Sequence, residues 1–157
     1  MFRRQERLHL LQPLRVQEHR PPPAGEPLHL GEPPQPSRAQ QVRDILGKLG
    51  QLAGVRGGLI VTPDGFVITA DLPPPISVDE LAALGATLGR ELELGMNRLA
   101  RGTFRTAFFS TDRGAIFLGG SPIGFVCLLG DAGAEPAAVS PALQEAVARL
   151  ESFWKVP

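Results

Sequence analysis

The chain has 157 residues, enough for one folded domain and a tail, and its formal net charge is zero. A neutral chain has no bulk electrostatic attraction to nucleic acid or to an acidic membrane, so the sequence predicts neither partner. Cys127 is the only cysteine, which excludes an intramolecular disulfide and favours a reducing, cytoplasmic setting. No apolar run is long enough to span a bilayer, so we expect no membrane insertion. The basic residues are fourteen arginines and two lysines, a bias typical of a GC-rich bacterial genome.

The first segment, residues 1–36, is rich in proline. It contains half of the sixteen prolines and all three histidines of the chain. Such a composition favours extended, polyproline-like coil, so we expect a flexible N-terminal tail and a folded domain over residues 37–157. His9, His19 and His29 are ten residues apart, which is not a ligand spacing, and the sequence predicts no metal there.

The first predicted helix begins at Ser37. Ser37 and Gln40 have the spacing of a capping box, in which the serine hydroxyl and the glutamine amide each satisfy a free backbone N–H. Apolar residues then recur at helical spacing from Val42 to Leu52, and glycines at 50 and 54 end the helix.

A β-hairpin is predicted next, over Gly57 to Asp71. Two apolar runs rich in β-branched residues flank Pro63-Asp64-Gly65. Proline presets the first turn dihedral and glycine takes the positive φ of a tight turn. The strands are expected near 57–62 and 66–71.

The longest predicted helix opens at Ser77 and runs to about Leu99. Its leucines form one apolar stripe at helical spacing, beside which runs a flank of small residues. Three glycines in one helix cost about 1 kcal/mol each relative to alanine, so this flank indicates that another backbone comes close. That backbone belongs to the sheet of the same chain or to the same helix of a second subunit, and both alternatives stay open. The stripe contains Leu81, Leu84, Leu88, Leu92, Met96 and Leu99, and the flank contains Ala82, Gly85, Ala86 and Gly89.

Three further strands and a last helix follow. Thr103 to Ser110 alternates as a half-buried strand, with Phe104 and Phe108 on one face and Ala107 and Phe109 on the other. A returning strand is expected over 115–118. Residues 123–129 are apolar on both faces, which predicts a central strand covered on both sides.

The end of the chain is predicted to be a loop and a helix. Residues 131–138 are interpreted as the loop, and Ser140 and Pro141 as the N-cap and first residue of the helix. The order α-β-β-α-β-β-β-α, with short turns between the strands, predicts an α+β sandwich with a mostly antiparallel sheet.

The folded region shows no set of residues that indicates catalysis. It contains no histidine, so it has no Ser-His or Cys-His pair. Cys127 lies in an apolar run and is predicted to be a buried small hydrophobe. The glycines at 54–58 precede a strand instead of opening a helix, which is the wrong order for a phosphate loop. The sequence therefore predicts no enzyme, no cofactor and no metal.

Arg90, Arg98, Arg101 and Arg105 cluster about the end of the long helix and the next strand. They suit an acidic partner. The alternative is that one of them reaches a phosphate bound to another protein, as an arginine finger does. Because arginine is nearly the only cation of the chain, the pattern says little about that alternative.

The element order, the apolar hairpin from Gly58 to Ile68 and the long helix rich in small residues resemble the roadblock/dynein light chain (LC7) family, over Ser37 to Trp154. The resemblance implies a five-stranded antiparallel sheet with the long helix on one face and two helices on the other. Bacterial members regulate small Ras-like GTPases. Members typically form homodimers through the long helix and the following strand, here Val78–Leu99 and Thr103–Ser110, and the paired helices form a platform for the GTPase.

The resemblance thus implies a non-enzymatic homodimeric regulator or scaffold that binds a small Ras-like GTPase. Two alternatives remain: a small-molecule sensor, which needs an apolar cavity with a few convergent polar groups, and a structural subunit with no nucleotide dependence. The predicted dimer-interface residues are Ala82, Gly85, Ala86, Gly89, Glu93, Thr103, Arg105 and Ala107. The predicted partner-binding residues are Arg90, Leu94, Asn97, Arg98 and Arg101.

Overall fold

The computed structural model describes residues 36–154. The predicted tail, apart from Pro36, therefore lies outside the described residues, and so do its three histidines. Every element that the sequence predicts is present, in the predicted order. No helix in this range has the length and apolar character needed to cross a membrane. The elements are α1 (Arg38–Leu49), β1 (Val55–Val61), β2 (Val67–Asp71), α2 (Val78–Arg98), β3 (Thr106–Thr111), β4 (Gly114–Ser121), β5 (Gly124–Gly130) and α3 (Pro136–Trp154).

The strands form one sheet in the order β2-β1-β5-β4-β3, with every neighbouring pair antiparallel. Helix α2 packs on one face of this sheet, and α1 and α3 pack on the other. The α+β sandwich with one long helix on one face and two helices on the other is thus confirmed. β2 and β3 are the two edge strands, which matters for the surfaces described below.

β5 is the central strand, as its two apolar faces predict. Phe125 and Cys127 point into the core under α2, whereas Val126 and Leu128 point into the core under α1 and α3. All four side chains are fully buried. Burial of apolar area on both faces is the main stabilising contribution to such a strand.

At the start of α1, half of the predicted capping box forms. The hydroxyl of Ser37 accepts a hydrogen bond from the Gln40 backbone N–H at 3.1 Å. The Gln40 amide donates instead to Asp44 Oδ1 at 3.0 Å, and its oxygen accepts from Arg43 Nη2 at 3.0 Å. These partners lie one turn further along the helix, where side chains are direct neighbours.

The last helix begins earlier than predicted, at Pro136 instead of Pro141. The carbonyl of Glu135 accepts from the N–H groups of Ala138 and Val139, both at 3.0 Å. Pro136 therefore takes the first helical position, where a missing N–H costs nothing. The earlier start places Val139 on the buried stripe with Leu143. That burial offsets the hydrogen bond that Pro141 cannot donate inside the helix.

The prediction that Phe104 shares a face with Phe108 is wrong. The Phe104 ring stacks on Phe125 at 6.0 Å between centroids, under α2. The Phe108 ring packs on Phe117 at 4.9 Å, on the other face of the sheet. The alternation fails because the regular strand begins at Thr106. A Cβ at Gly120 would lie 2.9 Å from the Phe104 carbonyl oxygen. The missing side chain at Gly120 therefore leaves room for the segment directly before β3.

The small-residue flank of α2 packs against the sheet of its own chain. Ala82, Gly85, Ala86 and Gly89 are all buried there. A Cβ at Gly89 would lie 2.5 Å from the Phe125 ring, and one at Gly85 would collide with the Cys127 sulfur. These two glycines let the α2 backbone approach β5 closely. For these residues, the backbone that comes close is therefore that of the sheet of the same chain.

This close approach makes Gly89→Ala destabilising. We expect the free energy of unfolding in urea to fall by about 1–3 kcal/mol, because the new methyl group must displace the Phe125 ring. The matched control is Gly47→Ala in α1, where a Cβ would meet no atom within 4 Å. That variant is expected to gain up to about 1 kcal/mol from helix propensity. Equal stabilities of the two variants would contradict the packing described here.

Candidate partner-binding site

Among residues 36–154 the interior offers no polar group for chemistry. No polar or charged side chain of this range is buried, and no group of three metal-ligating side chains is found in it. Cys127 is buried in mid-strand as a small hydrophobe, as predicted. Burial raises the pKa of its thiol to about 12 because the thiolate cannot be solvated there. The candidate site is therefore sought on the surface.

The predicted partner-binding residues lie in the second half of α2 and directly after it. The Arg101 N–H donates to the Met96 carbonyl at 2.8 Å, and Ala100 adopts a left-handed φ of 56°. This is the Schellman arrangement that closes many helices. It ends α2 sharply, so Arg98 lies in the last turn and Arg101 directly after it.

All five predicted partner-binding residues are exposed. Leu94 is 50 % exposed and lies four residues from both Arg90 and Arg98, so these side chains share one face of the helix. We call the surface formed by Arg90, Leu94, Asn97 and Arg98 the outer face of α2. It points away from the sheet, because the buried flank of the helix lies on its opposite side.

The arginines at this end of α2 have no carboxylate partner in the described part of the chain. The ion pair found within residues 36–154 joins Arg56 and Asp131, at 3.4 Å. Within this range Arg90 and Arg98 therefore present free guanidinium donors on the same face as Leu94, and Arg101 does so directly after the end of the helix. An apolar side chain surrounded by such donors is a suitable anchor for a protein partner with acidic groups.

The predicted dimer-interface residues divide into two groups. The four small residues of α2 are buried within the chain, as described above. Glu93, Thr103 and Arg105 line a groove of about 510 Å³ that also borders α3. Ala107 is half-buried on the edge strand β3. The second group is thus accessible to another chain, and the first is not.

The sequence analysis missed an exposed apolar surface beside the outer face. Leu84, assigned to the apolar stripe of α2, is 43 % exposed, and Leu88 is half-buried. The leucine stripe and the flank of small residues cannot both face the sheet directly. The small residues occupy that position because they let the helix approach the sheet more closely. We call the surface formed by Leu84 and Leu88 the leucine side of α2.

The leucine side faces the β3 edge of the sheet. Ala83, Thr87 and Arg90, on the other side of α2, lie beside the turn between β1 and β2. Helix α2 packs over β1 and β5 and only touches β4, so it leaves β3 uncovered. Phe109 on β3 is 37 % exposed on this face. The leucine side of α2 and the β3 edge of the sheet are thus neighbouring apolar surfaces.

Two grooves of the described residues bear on the sensor alternative. The groove of about 510 Å³ has Glu93, Arg105 and Glu151 in its walls. A second, of about 720 Å³, is lined by Arg43 and Lys48 among other charged residues. Both are open and charged, unlike the enclosed apolar cavity that a small-molecule sensor would need.

Solved structures with the same fold include MglB proteins, one of them named a gliding protein, and a roadblock/LC7 domain. MglB of Myxococcus xanthus superposes with a TM-score of 0.67 at 14% identity, covering 76% of this chain and 91% of that chain. The gliding protein MglB of Thermus thermophilus superposes with a TM-score of 0.64 at 20% identity, covering 78% of this chain and 98% of that chain. A roadblock/LC7 domain of Streptomyces avermitilis superposes with a TM-score of 0.62 at 18% identity, covering 69% of this chain and 93% of that chain. No family model and no curated protein sequence matches the chain.

The chain has the roadblock/LC7 fold. The element order, the single antiparallel sheet and the placement of α2 opposite α1 and α3 are those that the resemblance implies. At identities of 14% to 20%, the likeness concerns the fold, and what the chain binds is argued from its own surface.

The burial of Cys127 predicts an unreactive thiol in the native protein. At pH 8 we expect labelling by a thiol reagent to be at least about a thousandfold slower than in urea-unfolded protein, because the raised pKa leaves so little thiolate. The rate is followed by absorbance, with one label per chain after unfolding as the internal control. Rapid stoichiometric labelling of the native protein would contradict the burial of this side chain.

Proposed function

We propose that the chain is a non-enzymatic, homodimeric regulator or scaffold that binds a small Ras-like GTPase. The observation that carries the proposal is the outer face of α2, where an exposed leucine lies among arginines that form no ion pair within residues 36–154, on a roadblock/LC7 fold. The family that the sequence resembles includes bacterial regulators of such GTPases. Solved structures of the same fold are named for gliding proteins, which supports the same class of role.

The homodimer is proposed to form through the leucine side of α2 and the edge strand β3. A two-fold axis brings identical surfaces together, so a self-complementary apolar surface beside an open strand edge suits it. Leu84, Leu88 and Phe109 supply that surface, and β3 supplies backbone groups without a neighbouring strand among the described residues. Ala107 lies on β3, and Thr103 and Arg105 lie directly before that strand, so the proposal retains these three predicted residues at the interface.

In this arrangement the outer faces of the two α2 helices stay free for the GTPase. Leu94 is the apolar anchor, and the arginines around it bind acidic groups of the partner. The regulator acts by positioning the groups of the GTPase itself. The arginine-finger alternative remains, since Arg98 and Arg101 are exposed; it requires that loss of one arginine abolish stimulated hydrolysis while binding persists.

A test of the dimer uses two neighbouring residues on different sides of α2. Leu84→Arg is expected to convert the dimer to a monomer, because the two-fold axis places the new charges against each other in an apolar contact. Ala83→Arg adds the same charge on the side beside the hairpin turn and is expected to leave the dimer intact. Light scattering gives the mass, and circular dichroism checks the fold. A wild-type monomer, or two variants that both stay dimeric, would count against this interface.

A test of the partner uses the purified protein as bait in native lysate, once with a non-hydrolysable GTP analogue and once with GDP. We expect a small GTPase to be captured, mainly with the analogue if the protein acts as an effector or activating regulator. Equal capture with both nucleotides would indicate a constitutive scaffold. Leu94→Arg is expected to reduce capture by about tenfold or more, as loss of a central anchor does. Ser152→Arg, which introduces the same charged side chain in the exposed last turn of α3, serves as the control for added charge. Absence of any GTPase with either nucleotide would contradict the proposal.

A further inference from the structure

We propose that the free edge of β2 is a docking site for an extended segment of a partner protein, one with alternating apolar side chains and basic residues at its flanks. β2 lies at the opposite edge of the sheet from β3. The site is therefore separate from the proposed dimer interface, and the inference does not rest on the GTPase proposal.

β2 is an accessible edge strand with apolar side chains. It pairs with β1 on one side, and no strand of the described residues pairs with its other side. Four of its five residues are exposed, Val67 and Ile68 among them. Phe66, directly before it, is 72 % exposed, the highest value among the exposed large hydrophobic side chains of the described range.

This edge lacks the features that usually protect an open strand. Edge strands in natural proteins commonly carry lysine, proline or an inward-pointing charge, which prevent another strand from pairing. The residues from Phe66 to Ala70 include no charge and no proline. The irregularity in the strand is a register shift where it pairs with Ile60 and Val61, on the side facing β1. The outer side is thus open for strand addition, in which backbone hydrogen bonds hold an extended peptide.

The charges around β2 specify the kind of peptide. Asp64 lies before the strand and Asp71 at its end, and both are exposed. Asp79 and Glu80 follow at the exposed start of α2, and no lysine or arginine occurs between Arg56 and Arg90. Arg90 borders the groove that Asp64 lines, and Arg43, Lys48 and Arg149 border the groove that Asp71 lines. None of these basic residues forms an ion pair with either carboxylate in the described range, so both carboxylates are available to basic flanks of the peptide.

The same charges disfavour a second copy of this chain as the occupant. Antiparallel pairing of two β2 edges would place Asp64 of one chain next to Asp71 of the other, at both ends of the contact. Like charges opposite each other on paired strands are destabilising. A peptide with basic flanks meets the same edge without that repulsion.

The experiment selects from a displayed library of short random peptides with the full-length protein as bait. We expect the selected peptides to combine alternating apolar residues with net positive charge. Hydrogen exchange with a bound synthetic peptide should show protection of the backbone amides of β2. The double variant Asp64→Asn with Asp71→Asn should weaken binding by about tenfold at low salt, and added salt should weaken binding to the wild type likewise.

Two further variants make the result specific to β2. Ile68→Lys places a charge on the open edge and is expected to abolish peptide binding while the free protein keeps its mass. Ala137→Lys, which introduces the same side chain at an exposed position in the first turn of α3, should leave peptide binding unchanged. The proposal is overturned by selection of no peptide, by peptides without positive charge, or by protection that lies outside β2. It is also overturned if Ile68→Lys lowers the mass of the free protein, because a second copy would then occupy the edge.

Discussion

The close packing of α2 on β5 determines the arrangement of the rest of the surface. Gly85 and Gly89 let the helix backbone come against Cys127 and Phe125, which no larger side chain at those positions would allow. Because small residues occupy the direct contact, Leu84 and Leu88 lie toward the β3 edge, and Leu94 points away from the sheet. Both surfaces of the proposed function thus depend on one interaction inside the domain. A substitution on the buried side of α2 therefore perturbs the fold first and any assembly second.

The two edge strands give the domain two different open ends. β3 lies next to the leucine side of α2 and is flanked by Arg105 and Asp112, whereas β2 is preceded by Asp64 and ends at Asp71. An open strand that is mostly uncharged would normally invite indiscriminate pairing. In the proposed arrangement, antiparallel pairing of two β3 edges brings Arg105 of one chain near Asp112 of the other, whereas pairing of two β2 edges brings carboxylates together. In a chain of zero net charge, this distribution of flanking charges distinguishes one end of the sheet from the other.

Local sequence signals were sufficient to predict the helices and strands, but they did not decide positions where two signals compete. The hairpin turn at Pro63-Asp64-Gly65 and the doubly apolar run of β5 each have one physical solution, and both predictions are confirmed. Leu84 was misassigned because two adjacent stripes of α2 both fit a buried face, and only the sheet decides between them. The start of α3 was misplaced because two prolines offered the same signal. Exposure of Leu94 followed from helical spacing, but exposure of Phe66 did not, since strand order in the sheet is not visible along the chain.

The lack of buried polar or charged side chains among residues 36–154 has a consequence for how the surface of the domain can change. Every charged side chain of this range lies where water reaches it, so removing or reversing a surface charge leaves no unpaired charge in the core. Substitutions of exposed charges on the β2 edge or on the outer face of α2 are therefore expected to alter binding while the free energy of unfolding stays nearly the same. Binding preference can thus diverge on a fold that itself stays the same.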